Sequence, residues 1–414
     1  RLIESHYVTA REFLKPYGVK LIAESGGPGP PIWDSNPVDG IKALGAVDIP
    51  RGEFWIRHRG IFLVKEIASA AHVYDKRLVD AESFTTWRRW IDGPLNHKDH
   101  ADRALCEGLN CFSLHTFASS PPGAGLPGWA YHAGTDINPA ATWWPMARPF
   151  MDYLARCSHM LRQGWFVADV VYYYGDQAPN FFPADCNVPE KPLLDGLHPG
   201  YDFDVCSSEV ILERMTVKHG RITLPDGMSY AALVLPEQDH IPVAVLEKIR
   251  DLAHEGATVI AHQRPVRAPG LKENTSHSRK VASLGKELWG SGPANGRFIV
   301  TPDRTGALDK IGVGKDFSIV DHPTPDLGPL DFIHRWTTDA DFYFIRNKSR
   351  DAQALTCRFR VAAKERGVVP EFWWPQSGTR TACPDWKPSG DQHTELPIEL
   401  GPLGSVFVVF RKPD

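Results

Sequence analysis

Arg77-Leu-Val-Asp-Ala-Glu82-Ser-Phe84 is a short apolar run that ends on a carboxylate, and its reading decides the fold. A helical pattern precedes it at about 63–74, with Ala68, Ala71 and Val73 among the apolar positions, and a short helix follows near 99–109. Helices alternating with short, strongly apolar strands are the pattern of parallel α/β units. Working outward, Val19-Lys-Leu-Ile-Ala-Glu24 reads as an earlier strand, after a helix at about 2–17. Asn110-Cys-Phe-Ser-Leu-His115-Thr-Phe117 and Trp165-Phe-Val-Ala-Asp-Val-Val-Tyr-Tyr-Tyr174 read as later ones, the last after a helix at about 145–163. Four strands of one parallel sheet are thus predicted within residues 1–185.

A Pro-rich stretch at 179–199 breaks this pattern. Beyond it, Tyr230-Ala-Ala-Leu-Val-Leu-Pro236 precedes a helix at 242–255 that Gly256 ends, and Ala257-Thr-Val-Ile-Ala261 follows as a strand. This predicts a second, smaller doubly wound α/β unit over 186–329. From Phe332 the pattern turns to alternation in Phe342-Tyr-Phe-Ile-Arg-Asn347, Leu355-Thr-Cys-Arg-Phe-Arg-Val361 and Ser405-Val-Phe-Val-Val-Phe-Arg411. That predicts an antiparallel β-sandwich over 330–414.

Composition bounds the function. Lys and Arg number 46 against 50 Asp and Glu, a net charge of −4, which excludes the basic field of a nucleic-acid binder. No run approaches the roughly 20 apolar residues needed to span a bilayer. Seven scattered cysteines without a C-x-x-C pair argue against a zinc site, a redox motif or a disulfide scaffold, and leave one bridge open. The 13 Trp, with 35 Gly and 35 Pro, suggest loop-rich surfaces for a flat, hydroxylated ligand such as a sugar, or else aromatic packing in cores. The start, Arg1-Leu-Ile-Glu-Ser-His6, carries no initiator Met and no signal pattern, and suggests a chain cut from a longer one.

In parallel α/β folds the active site lies at the carboxyl ends of the strands. Glu24 and Glu82 stand there in the same Ala-Glu-Ser context, with His115 and Asp176 at the other two strand ends. Trp33 and Trp55 follow the first strand, Trp87 and Trp90 the second, and Trp129, Tyr131, Trp143 and Trp144 lie in the loop after the third. Carboxylates among flat side chains fit glycoside hydrolysis, in which one carboxyl protonates the leaving oxygen and the other activates water or attacks carbon.

These residues meet a known family. Ala23-Glu24-Ser-Gly, Asn36-Pro37, Gly52-Glu53-Phe-Trp55, Ala68-Ser-Ala-Ala-His-Val-Tyr74 and Ala81-Glu82-Ser-Phe-Thr85 resemble glycoside hydrolase family 106, the α-L-rhamnosidases. The likeness continues through Asp102–Asn110, His115-Thr-Phe117, Thr142-Trp-Trp144, Phe166–Asp176, Asp204-Val-Cys-Ser-Ser-Glu209 and Asp341–Asn347. It implies a (β/α)₈ barrel followed by accessory domains, a calcium requirement, and cleavage of terminal α-L-rhamnose with inversion. The four strands then correspond to strands five to eight of the barrel, as its C-terminal half.

Carried over, Glu82 is the expected general base, Glu53, in the loop after the first strand, the expected Ca²⁺ ligand, and Glu24, Trp55, His115 and Trp144 the lining of the sugar pocket. Glu107 precedes its strand, which puts it on the far face of the barrel and makes it structural. The family's general acid sits on an Asp-Ser-(Tyr/Trp)-Glu segment that does not occur here. The acid and the N-terminal half of the barrel are therefore expected from outside this chain, that half being its partner besides a rhamnose-containing glycoside. The enzyme type implies a periplasmic or secreted location. Two other readings stay open: a β-galactosidase-like glycosidase of related barrel architecture, and a non-catalytic carbohydrate-binding protein.

Overall fold

The computed structural model describes residues 1–24, 38–56, 63–134, 136–178, 180, 194–270, 275–290, 292, 297–320 and 327–413. Four parallel strands open the fold in the order β1 (Ile22–Glu24), β2 (Ile49–Trp55), β3 (Asp80–Thr85) and β4 (Cys111–Leu114). Alternation divides this sheet into two chemically different faces. One carries Glu24, Arg51, Glu53, Asp80, Glu82 and Ser113. The other carries Gly52, Phe54, Ala81 and Phe112, and it packs against the helices α1 (Val64–Val73), α2 (Pro94–Glu107) and α3 (Arg148–Leu161). Gly52 is the point of closest approach: a Cβ there would fall 2.1 Å from Ile67 Cδ1 on α1.

The sheet corrects the sequence reading at two places. Ile49–Trp55, read as loop, is the second strand, so Glu53 lies within a strand rather than after one. Trp165–Tyr174, read as the fourth strand of this sheet, serves two other sheets. Trp165–Phe166 pairs antiparallel with Leu330–Trp336 at the edge of the C-terminal sandwich, and Val170–Tyr173 lies inside the second parallel sheet. The chain changes sheets across Val167-Ala-Asp169, where the Asp169 carbonyl accepts from Ala231 and Ala232 and Arg360 pairs with its carboxylate at 2.8 Å.

The second parallel sheet has the order 297–300, 258–261, 232–234, 170–173 and 203–206, with Val243–His254 and Thr275–Gly290 among its helices. Helix α1 lies between the two parallel sheets, and all ten of its residues are buried. A helix in that position must find partners for its polar groups inside the protein. Lys65 Nζ donates to Asp202 at 2.7 Å with the Phe166 and Phe203 rings beside it, and His72 Nδ1 lies 2.9 Å from Asp204.

Strands 216–218, 221–223 and 229–230 form a small antiparallel sheet of their own. Phe317–Ile319 and the strands from Leu330 onward, with Trp165–Phe166 at one edge, form the expected sandwich of two facing antiparallel sheets around Phe317, Phe332, Tyr343, Phe359, Val408 and Phe410. Helix α2 docks on it through Lys98, which donates to Asp102, to the Leu403 carbonyl and to Ser405 Oγ. Glu107 is buried at the end of the same helix and paired with Arg103 at 3.0 Å, away from the polar face of the first sheet. The described cysteines, Cys106, Cys111, Cys157, Cys206, Cys357 and Cys383, are free thiols. No helix among the described residues is long and apolar enough to cross a membrane.

Candidate active site

The polar face of the first sheet is built in layers that strand register dictates. Glu24 pairs with Arg51 and Arg51 with Asp80; one step toward the C-terminal ends, Glu53 pairs with Glu82 and Glu82 with Ser113. The lower layer is neutralised internally. Arg51 Nε donates to Asp80, Arg51 Nη2 donates to Ser113 Oγ at 2.6 Å, and Ser113 Oγ donates to Asp80 at 3.0 Å. That bridge ties β2, β3 and β4 together beneath the upper carboxylates.

Among the described residues, the upper layer has no such Arg or Lys partner. Burial pushes the Glu53 carboxyl up to about 8; the Trp55 indole, which donates to Glu53 Oε1, opposes this, while Glu82 and Glu24 add to it. Burial likewise raises Glu24 to about 7, Glu82 adding to the rise and Arg51 opposing it. Glu82 is the more open of the facing pair, its side chain about a third exposed. Its Oε1 accepts from Thr85 Oγ1 at 3.3 Å and lies 3.7 Å from His115 Nε2.

Aromatic rings form a wall beyond the strand ends. Trp55 meets Trp87 with ring centres 4.9 Å apart, Trp87 stacks on His132 at 5.8 Å, His132 meets Tyr131 at 4.4 Å, and Tyr131 meets His115 edge-on at 5.4 Å. The arc therefore starts and ends on residues that contact Glu53 and Glu82. Trp87 and Tyr131 keep half their surface exposed, which leaves flat faces for a ring-shaped ligand.

Of the residues expected at the site, Glu24, Glu53, Glu82, Trp55 and His115 come together. Trp144 stands apart: its ring neighbours are Phe117 at 6.1 Å and Trp143 at 6.2 Å. Trp33 falls outside the described residues. Sequence reasoning placed Trp87 and Tyr131 only in loops and passed over His132, Arg51, Asp80 and Thr85. Asp80 stands two residues before Glu82 in the quoted strand, so alternation was the signal that could have found it.

Among the described residues, no group of three or more His, Cys, Asp or Glu side chains closes into a metal-holding cluster. The Glu53–Glu82 pair nevertheless suits a hard cation in its donor chemistry. Both groups offer oxygen, and the burial that raises the Glu53 pKa favours a proton there that a cation would replace.

Comparison with known proteins gives the family and the fold. The model of the glycoside hydrolase family 106, described as alpha-L-rhamnosidase, matches residues 1–384. The rhamnosidase from Novosphingobium sp. PP1Y superposes with a TM-score of 0.82 at 28% identity, over 100% of this chain and 39% of that one. A Formosa agariphila protein whose name marks it as a candidate beta-glucuronidase is 35% identical over 415 residues, covering 99% of this chain and 33% of its own length. A beta-galactosidase from Bacillus circulans sp. alkalophilus, 10% identical, covers 99% of this chain and 66% of its own with a TM-score of 0.57, a likeness of fold. This chain thus spans only 33% of the length of the Formosa protein and 39% of that of the Novosphingobium rhamnosidase. With strand-end carboxylates, an aromatic wall and a family match over nearly its whole length, the chain belongs to the α-L-rhamnosidases of glycoside hydrolase family 106.

Proposed function

We propose that this chain supplies the water-activating side of an enzyme that removes terminal α-L-rhamnose from a glycoside with inversion. The observation that carries the reading is the register pair Glu53–Glu82 on the polar sheet face, under the Trp55–Trp87–His132–Tyr131–His115 arc, in a chain of this family. Glu82 is the general base: it takes a proton from the water that attacks the anomeric carbon. Trp55 and Trp87 stack on the sugar, and Glu24 and His115 accept or donate at its hydroxyls. Trp144 is kept as an outer lining residue.

Glu53 is not the acid partner of Glu82. The two stand directly across neighbouring strands, within mutual hydrogen-bond reach, whereas an inverting pair is separated by about 6.5–9.5 Å to admit water. We infer that the acid comes from outside these 414 residues, together with the rest of the barrel wall. Glu53, with Glu82 beside it, would hold a Ca²⁺ ion. When bound, that ion supplies positive charge for sugar hydroxyls and for the crowded carboxylates. A secreted or periplasmic enzyme fits this reading.

Two experiments test it in the whole protein. Aryl α-L-rhamnoside, β-galactoside and β-glucuronide are offered side by side, and the first product anomer is read by NMR. The account expects rhamnoside turnover with β-L-rhamnose formed first. Cleavage of glucuronide alone would favour the name of the Formosa relative, and cleavage of galactoside alone a β-galactosidase-like enzyme. For the metal, a chelator should lower Tm and activity and added calcium restore both; indifference to both treatments removes Ca²⁺ from the account.

A further inference from the structure

We propose that Thr85 is a positioning residue for Glu82, put in place by a one-residue bulge at Phe84; the proposal rests on the reading of Glu82 as the base. Regular alternation along β3 would set Asp80, Glu82 and Phe84 on the pocket face and turn Thr85 into the core. The register runs otherwise. Glu53 pairs with Glu82 and Phe54 with Ser83, but Trp55 pairs with Thr85, so Phe84 has no partner on β2. Phe84 takes φ +72°, the left-handed region that a bulky residue enters at a cost.

That bulge has two consequences. Phe84 is rolled out of the pocket and fully buried, 5.2 Å from Phe54, 5.8 Å from Phe112 and 5.1 Å from His97 between ring centres. Thr85 is turned the other way, so that its hydroxyl donates to Glu82 Oε1 at 3.3 Å. His115 Nε2 approaches the same oxygen from β4's end at 3.7 Å. A glutamate has three rotatable side-chain bonds, and a base must hold one direction while water is attacked. Two groups meeting one oxygen restrict those bonds, and Thr85, itself buried, is fixed to the strand that carries Glu82.

The test is kinetic, in the whole protein on aryl α-L-rhamnoside. Thr85→Val keeps the shape and removes the donor; kcat should fall about fivefold to tenfold with KM and Tm nearly unchanged. Thr85→Ser restores the hydroxyl and should return kcat to within about twofold of the parent. If Val does not fold, Thr85→Ala is read in its place. Full kcat in Thr85→Val beside an inactive Glu82→Gln overturns the proposal while leaving Glu82 as base. Equal impairment of Val and Ser variants, with lowered Tm, also overturns it, since the role is then structural. An active Glu82→Gln overturns the assignment of the base, and the role of Thr85 with it.

Discussion

At the residue scale, the site depends on which side chains the strands turn inward. Phe84 illustrates the cost and the return. Its backbone sits in an unfavourable region, and its ring repays this inside an aromatic core with Phe54, Phe112 and Phe150. Phe84→Ala is expected to destabilise the protein by about 3–5 kcal/mol, as large-to-small core changes do. Phe84→Gly loses the same ring but tolerates the positive φ, so it should fall short of the alanine's loss by about 1 kcal/mol. Denaturant melts of the two variants check the order; a glycine variant less stable than the alanine one would mean that the backbone is not strained there.

The same position shows where sequence reading stops. The Ala-Glu-Ser repetition made Glu24 and Glu82 legible, because an apolar strand that ends on a carboxylate presents it at a site mouth. Nothing in Ser83-Phe84-Thr85 announces a bulge, since the residue that enters φ > 0 is a phenylalanine rather than the usual glycine or asparagine. The motif therefore contains Thr85 without signalling its role.

At the element scale, the missed strand has a physical cause. Ile49-Pro-Arg-Gly-Glu-Phe-Trp55 carries Arg51 and Glu53 toward the pocket, while Gly52 gives α1 room on the other side. A strand with one charged face and a pared-down second face has lost the apolar run by which buried parallel strands are recognised. Trp165–Tyr174 failed in the opposite direction, being apolar enough for one long strand while serving two sheets. Helix α1 joins the units through Lys65 and Asp202, each 1% exposed. Asp202→Asn should cost about 3–5 kcal/mol by leaving a buried ammonium without its countercharge. The double variant Lys65→Met/Asp202→Leu should recover a large part of that loss in denaturant melts. A double variant no better than Asp202→Asn would show that the pair is not coupled.

At the scale of the whole molecule, the doubly wound unit and the sandwich are joined by buried charge around His334. Its ring nitrogens lie 3.0 Å from Asp316 and 3.3 Å from Asp341, Tyr343 stacks on it and donates to Asp316, and Arg360 links Asp316 to Asp169. Burial works against a charged His334, but Asp316 and Asp341 outweigh it and raise its pKa. Burial likewise opposes the Asp316 charge, and His334 and Arg360 hold its carboxyl below the ordinary range. The histidine's contribution is complete below about pH 6.5 and is lost as pH rises through its raised folded value. The aspartate's is present above about pH 4 and is lost on acidification. The Tm difference between parent and His334→Asn should therefore be largest near pH 5–6 and shrink as pH rises through the raised folded value; a difference that grows above about pH 6.5 would contradict the charged pair.

In the proposed mechanism the base is Glu82, which stands where the strand ends, the aromatic arc and the second carboxylate meet. Replacing Glu82 by Gln in the whole protein, with Tm checked and aryl α-L-rhamnoside as substrate, tests that assignment most directly. The account predicts a loss of kcat of about 10²–10⁴-fold with the fold intact, and turnover within tenfold of the parent would contradict it.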